Sequence, residues 1–173
     1  MTKLTLRAML LLAALLTLAA QARADGSGNP GPVKEADGMW TDAQGNPTFK
    51  IAKDGTVDWY TDIGFLRYGA NCLQCHGPDA LGSSYAPSLV DAIKTMSYQQ
   101  FYATVAGGKK DVSNSSNLVM PALGADRNVM CFINEIYVYL RARGDGALGR
   151  GRPEKHVAKP AGFSKTSDAC VGS

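Results

Sequence analysis

The sequence predicts a small all-α domain that carries an N-terminal arm, with one candidate β-hairpin in it, and a C-terminal tail. Three observations support this fold class. The spacing of apolar residues becomes helical over residues 58–70, and a second, strongly amphipathic pattern covers residues 126–143. A Cys-x-x-Cys-His run at 72–76 stands directly after the first pattern. The length of 173 residues is that of one domain.

The run at 72–76 has the spacing of a c-type haem attachment motif. Cys72 and Cys75 can form thioethers with the two vinyl groups on one porphyrin edge, and His76 then reaches the iron. The alternatives are a redox dithiol, which does not need His76, and a zinc site, which needs more ligands nearby. The other cysteines and histidine lie far downstream: Cys131, His156 and Cys170. We therefore predict one covalent haem, with His76 as an axial ligand of the iron.

Residues 1–24 have the pattern of a secretion signal. Two basic residues precede an apolar run at 9–20, and the small-x-small sequence at 22–24 predicts cleavage after Ala24. The run is shorter than the roughly 20 residues of a membrane span, although an uncleaved anchor is the alternative. No later segment is apolar enough to span a membrane. Because c-type haem is attached outside the cytoplasm, we expect a periplasmic protein.

The charge balance excludes two classes of partner. The chain has 18 basic and 15 acidic residues, and the predicted signal contains three of the basic ones and no acidic one. The exported protein would therefore have 18 − 3 = 15 basic residues against 15 acidic ones. A balance near zero argues against nucleic acid and against an anionic membrane surface as partners.

Residues 25–57 are predicted to form the N-terminal arm. Gly, Pro, Asp and Asn dominate the segment up to residue 47, which indicates an irregular chain. Two short alternating segments, 48–51 and 56–60, flank Asp54-Gly55 and predict a β-hairpin. The alternative is a loop whose Trp59 covers the core.

Residues 58–143 are predicted to form the haem domain. Its first helix covers 58–70, and two short helices follow at 89–96 and 97–105, the second with Ser97 as its N-cap. Residues 109–117 are expected to form a polar loop. The last helix begins after Asp126 and ends at Gly144. Residues 144–173 form the C-terminal extension.

These motifs resemble the class I cytochrome c family. The matching positions are Gly64 and Tyr68 in the first helix, Pro87 in a loop after the haem motif, the pair Met120-Pro121, and the pair Tyr139-Leu140 in the last helix. The resemblance implies the class I cytochrome c fold, in which three to five helices surround one covalent haem. It also implies that the carbonyl of Pro87 accepts a hydrogen bond from His76 and thereby orients the ring.

Met120 is the predicted second axial ligand. It lies 44 residues after His76 and precedes a proline, which biases it towards an extended conformation. The alternatives are an open site or another side chain, namely Met39, Met96, Met130 or His156. Ligation by His76 and Met120 fills both axial positions and raises the reduction potential. It predicts an electron-transfer protein rather than an enzyme.

A narrower resemblance extends over most of the exported chain. The long arm, the cysteine in the last helix and the segment 145–156 are similar to those of the cytochrome cL-like proteins. These are electron acceptors of methanol dehydrogenases that use pyrroloquinoline quinone (PQQ), including the lanthanide-dependent type. The resemblance implies single-electron transfer from such an alcohol dehydrogenase to a downstream cytochrome c or terminal oxidase. Some members also bind calcium near the haem, with ligands that do not map onto residues here.

Two other functions remain open at the level of the sequence. The chain could be a haem subunit of a larger redox complex, or a haem enzyme or gas sensor with a displaceable axial ligand. The second alternative would be favoured if Met120 were displaced by added ligands under mild conditions.

Cys131 and Cys170 are the two cysteines that the haem does not use. In an oxidising compartment two spare thiols tend to pair, which predicts a disulfide that ties the tail to the last helix. The alternative is a small buried apolar residue at 131 and a free terminal thiol at 170.

Overall fold

A computed structural model describes residues 31–113 and 116–172. The predicted signal segment 1–24 lies outside the described residues. The helices in the described ranges are α1 Trp59–Asn71, α2 Leu73–His76, α3 Leu89–Ala92, α4 Tyr98–Gly107, α5 Arg127–Met130, α6 Ile133–Gly144 and α7 Phe163–Val171. The strands are β1 Lys34–Ala36, β2 Met39–Thr41, β3 Pro47–Thr48, β4 Lys109–Ser113 and β5 Ser116–Met120.

The crossing of α1 and α6 is the centre of the molecule. Gly64 allows the close approach, since a Cβ at this position would lie 2.0 Å from the carbonyl oxygen of Glu135. Tyr68 and Tyr139 are almost fully buried beside the crossing, with ring centroids 5.4 Å apart. The crossing fixes α1, and therefore the place where the haem motif begins.

Asp58 fixes the start of α1. Its carboxylate accepts hydrogen bonds from the backbone N–H of Thr61 at 2.8 Å and from the Thr61 hydroxyl at 2.7 Å. The same carboxylate accepts from the backbone N–H of Lys50 at 2.7 Å. One buried N-cap therefore satisfies donors at the helix terminus and joins the helix to the preceding segment.

The arm is more ordered than its composition predicts. Residues 34–48, of which those up to 47 were expected to be irregular, contain the strands of an antiparallel sheet in the order β1-β2-β3. The hairpin expected around Asp54-Gly55 is reduced to a tight turn with a single bridge between Ile51 and Val57. Val57 also pairs with the C-terminal extension, because its N–H donates to the carbonyl of Lys155 at 3.0 Å. This long-range partner has no local signal in the sequence.

The chain after α4 forms two strands where a loop was expected. Within the segment expected as a polar loop over 109–117, the described residues belong to the antiparallel strands β4 Lys109–Ser113 and β5 Ser116–Met120, in which Lys109 is opposite Met120. Gly108 makes the entry possible, because its φ is +73° and a Cβ there would lie 2.7 Å from the carbonyl oxygen of Met120. Met120 is therefore the last residue of strand β5.

The predicted last helix is divided in two. Asp126 is the N-cap of α5, as expected, and its carboxylate accepts from the N–H of Asn128 at 2.9 Å. Phe132 then leaves the helical region, with φ −127° and ψ 21°, before α6 begins. The core contains two apolar clusters: a larger one around Tyr68 and Tyr139, and a second, smaller one. The buried ring of Phe132 belongs to the second cluster, together with Tyr60 and Phe163. This cluster forms only in three dimensions, so the periodicity of the sequence continues through the break.

The C-terminal extension is packed along the domain. Its helix α7, which the sequence analysis did not predict, places Phe163 edge-to-face on Tyr60 with ring centroids 5.4 Å apart. Farther upstream, the guanidinium of Arg152 donates to the buried carboxylate of Asp62 through two contacts of 3.3 Å. Within the described residues, no helix is long and apolar enough to cross a membrane.

Candidate functional site

The two cysteines and the histidine of the 72–76 motif lie on a single helical turn. Cys72 ends α1, with its N–H donating to the carbonyl of Tyr68 at 2.8 Å. The carbonyl of Cys72 in turn accepts from the N–H of His76 at 2.9 Å. Side chains three and four residues apart on a helix share one face, so this turn presents Cys72, Cys75 and His76 together.

The His76 ring is held by the loop that contains Pro87. Nδ1 of His76 lies 3.0 Å from the carbonyl oxygen of Pro87, which is the contact that the family resemblance implies. A carbonyl only accepts, so Nδ1 carries the proton and Nε2 keeps its lone pair. The side chain is 7% exposed. The arrangement prepares Nε2 to bind a metal.

The turn after His76 is closed by backbone contacts. The N–H of Gly82 donates to the carbonyl of His76 at 2.8 Å, and the hydroxyl of Tyr68 donates to the carbonyl of Gly77. Both glycines have positive φ, and a Cβ on Gly77 would lie 2.2 Å from the carbonyl oxygen of Gly82. The motif is therefore held by a compact turn that depends on glycine at both ends.

The chemistry of the two thiols argues against a redox dithiol. Cys72 and Cys75 are not joined to each other, and burial raises the pKa of the Cys72 thiol to about 12. A disulfide-exchange site needs a thiolate near neutral pH, and therefore a lowered pKa. Zinc is not favoured either, because a zinc site needs further ligands beside Cys72, Cys75 and His76. Among residues 31–113 and 116–172, no group of three or more His, Cys, Asp or Glu side chains is placed to hold a metal ion. Two thiols and one oriented imidazole fit the attachment and ligation of haem.

The structure divides the candidates for the second axial ligand into two groups. Met120 packs, partly buried, against the apolar cluster that also includes Cys72. Met96 and Met130 pack against the same cluster. Met39 belongs instead to the second cluster, and His156 packs edge-to-face on Trp59 of that cluster, with ring centroids 5.4 Å apart.

Cys131 and Cys170 are brought together. Their sulfur atoms are 2.03 Å apart and their Cα atoms 5.7 Å apart. Nearby, the guanidinium of Arg127 donates to the carbonyl of Val171 at 3.1 Å. The end of α7 therefore lies against α5.

Sequence reasoning missed one group of residues beside the motif. Asp79, in the turn after His76, contacts Arg143, Arg150 and Gly151, which are 64 to 72 positions away in the chain. Asp79 and Ala80 also have positive φ, of 58° and 62°. A single sequence contains no signal for these contacts, since each partner by itself has the pattern of a solvated residue.

Comparison with known proteins points to one family. The chain is 49% identical over 135 residues to cytochrome c-553I of Paracoccus denitrificans, a match that covers 78% of this chain and 60% of that protein. It is 33% identical over 100 residues to cytochrome c-555 of Methylococcus capsulatus (strain ATCC 33009 / NCIMB 11132 / Bath), covering 57% of this chain and 75% of the relative. No family model matches the sequence.

A solved structure agrees with the sequence relatives. The fold is similar to the crystal structure of the c-type cytochrome XoxG from Methylobacterium extorquens AM1, with a TM-score of 0.75 and 48% sequence identity. The match covers 82% of this chain and 86% of that structure. The chain spans 60% of the length of the Paracoccus relative.

Proposed function

Because the chain belongs to the c-type cytochromes, which are electron-transfer proteins rather than enzymes, we propose that it is a periplasmic monohaem electron carrier. It accepts single electrons from a PQQ-dependent alcohol dehydrogenase, methanol dehydrogenase in the first instance. It passes them to a downstream cytochrome c or a terminal oxidase. In this proposal the haem domain covers residues 58–143, preceded in the sequence by the arm 25–57 and followed by the extension 144–173.

One observation supports the proposed ligation of the haem iron by His76 most directly. The Nδ1 atom of His76 is fixed at 3.0 Å from the carbonyl of Pro87, one helical turn after the unpaired Cys72. This hydrogen bond leaves Nε2 free and fixes the ring plane, as an axial ligand requires. A residue that served packing alone would not need a defined tautomer.

The residues of the site have separate tasks. Cys72 and Cys75 would hold the haem through thioether bonds, and His76 and Met120 would be the ligands of its iron. Met120 is the last residue of β5. The bound haem supplies a one-electron Fe(III)/Fe(II) couple, and a thioether ligand raises its potential. A calcium ion, which the family resemblance implies for some members, has no ligands assigned in this chain.

The assignment of Met120 is tested against Met96 and Met130, which pack on the same apolar cluster. Met120→Ala should abolish the Met–Fe charge-transfer band, lower the reduction potential and open the iron to cyanide or imidazole. Met96→Ala and Met130→Ala should keep the band. Persistence of the band in Met120→Ala would refute the assignment.

The proposed donor is tested by rapid mixing. A reduced PQQ-dependent methanol or ethanol dehydrogenase is mixed with the oxidised protein, and haem reduction is followed at physiological ionic strength. The rate should exceed that of an unrelated cytochrome c of similar potential. Equal rates would contradict a dedicated partnership and leave a general electron carrier. The export assignment is checked by the N-terminal sequence of protein recovered from the periplasm, which should begin at Asp25.

A further inference from the structure

The turn between His76 and Pro87 is held in an unfavourable backbone conformation. Asp79 and the following Ala80 both have φ in the left-handed region, at 58° and 62°. Aspartate tolerates this region better than most residues, whereas alanine has no compensating side-chain hydrogen bond. Two successive residues keep such a conformation only where the surrounding structure holds them there.

The side chain of Asp79 is held by the C-terminal extension. One carboxylate oxygen accepts from Nε of Arg150 at 2.9 Å, and the other accepts from the backbone N–H of Gly151 at 2.8 Å. The Asp79 side chain is only 12% exposed, whereas that of Arg150 is 71% exposed. The carboxylate is therefore a largely buried anchor for a segment more than seventy residues away.

The backbone of Asp79 is held separately by α6. Nε and Nη2 of Arg143 both donate to the carbonyl oxygen of Asp79, at 3.3 and 3.2 Å. Nη1 of the same guanidinium donates to the carbonyl of Leu148 at 2.8 Å. The side chain of Arg143 thus joins the turn, the helix that crosses α1, and the extension.

The far end of this turn touches the group that orients His76. A Cβ on Gly82 would lie 3.1 Å from the carbonyl carbon of Pro87 and 2.7 Å from the nitrogen of Ser88. The N–H of Gly82 also donates to the carbonyl of His76. The turn is therefore packed against the peptide whose oxygen accepts from Nδ1 of His76.

We propose that Asp79 is a positioning residue for the axial histidine, and that the C-terminal extension acts through it on the haem site. This inference rests on the proposed function, because it assumes that His76 binds the iron. A strong hydrogen bond from Nδ1 makes the imidazole a more basic ligand, which favours Fe(III) and lowers the potential. Loosening the turn weakens this bond and raises the potential.

The test compares two substitutions of the same residue. Asp79→Gly tolerates positive φ but removes both side-chain hydrogen bonds, whereas Asp79→Asn keeps an acceptor for the N–H of Gly151. The reduction potential and the paramagnetically shifted ¹H NMR signals of the haem methyls are measured for each. Asp79→Gly should raise the reduction potential and redistribute the methyl shifts. For Asp79→Asn, both the potential and the methyl shifts should lie between those of Asp79→Gly and those of the wild type.

A matched control comes from another ion pair of the same extension, which Lys155 makes with a residue of the arm. Asp54 pairs with Lys155 at 3.8 Å, with both side chains mostly exposed, and makes none of the contacts that hold Asp79. Asp54→Ala should leave the potential and the methyl shifts unchanged. If Asp79→Gly does not fold, Arg150→Ala serves instead, since this exposed side chain can be removed without leaving a cavity. It should shift both readouts in the same direction.

Different results would overturn the positioning role of Asp79 and the proposed function. Unchanged potential and methyl shifts in Asp79→Gly, or in Arg150→Ala if that variant is needed, would overturn the positioning role while the wild type keeps its low-spin haem. A wild-type protein without low-spin, histidine-ligated haem would overturn the proposed function itself.

Discussion

Glu135 is a carboxyl group in the interior, on α6 where this helix crosses α1. The side chain is 6% exposed, and its burial raises the pKa to about 7, which the positive charge of Arg67 offsets only in part. An unfolded glutamate has an ordinary pKa near 4.5. The unfolded chain therefore releases this proton first as the pH rises, and the free energy of unfolding decreases between about pH 4.5 and 7.

Glu135→Gln should therefore stabilise the protein in a pH-dependent way. At pH 8, folding of the wild type must either bury the negative charge of Glu135 or keep its proton, and both are unfavourable. Because the substitution removes this ionisable group, it should raise the free energy of unfolding by ~3 kcal/mol. At pH 4, where both states of the wild type are protonated, the two proteins should be nearly equal. Denaturant titrations at the two pH values give the comparison. Exposed Glu154→Gln is the control, and an equal gain at both pH values for Glu135→Gln would contradict the account.

The site shows how far residue-level prediction from the sequence extends. Cys72, Cys75 and His76 are close together in the chain, so their spacing alone predicts haem attachment. Pro87 required the family pattern, because its role is a backbone carbonyl that any residue could supply. Asp79 was not predicted, since its partners Arg143 and Arg150 reach it only in the folded protein.

At the scale of elements, the crossing of α1 and α6 depends on one missing side chain. A Cβ at Gly64 would lie 2.0 Å from the carbonyl oxygen of Glu135 and 2.7 Å from Cβ of Tyr139. The backbone of Glu135 and the buried side chain of Tyr139 cannot easily move to make room for this Cβ. On the same helix, Gly69 is exposed and a Cβ there would meet nothing within 4 Å.

The two glycines therefore respond to the same substitution with opposite signs. Gly64→Ala should lower the free energy of unfolding by ~3 kcal/mol, because the steric cost exceeds the gain in helix propensity. Gly69→Ala should raise it by up to ~1 kcal/mol, because propensity acts alone. Thermal or denaturant unfolding of both variants decides the matter. Equal effects at the two positions would show that the close approach at Gly64 is not limiting.

Elements with strong periodicity were easier to predict than those made by distant contacts. The start of α1 follows from the N-cap Asp58, and the start of α5 from Asp126. The break at Phe132 follows from a cluster with Tyr60 and Phe163, which local periodicity does not encode. The sheet β1-β2-β3 likewise escaped prediction, because its strands are only two or three residues long.

At the scale of the whole molecule, the extension joins segments from both ends of the domain. It pairs with Val57 through backbone hydrogen bonds of 3.0 Å, and it reaches α5 where Cys170 meets Cys131. A disulfide there closes a loop of 39 residues. In the chain-entropy model a loop of this size stabilises the folded state by about 4 kcal/mol.

The disulfide is tested by removing both of its sulfur atoms. Cys131→Ser combined with Cys170→Ser should lower the free energy of unfolding by roughly 2 to 4 kcal/mol. The haem spectrum should be unchanged, since neither cysteine belongs to the site. Wild-type protein from the periplasm should show no alkylatable thiol at either position before reduction. Two free thiols in that protein would rule the pairing out.

The most direct test of the central claim is the mass of the proteolytic peptide that contains residues 72–76. Protein produced with its export and haem-attachment apparatus is digested without reduction, and the peptide is sequenced by tandem mass spectrometry. We expect the peptide mass plus one haem, with fragment ions that place the modification on Cys72 and Cys75. A peptide with two alkylatable thiols, or with a Cys72–Cys75 disulfide, would contradict it.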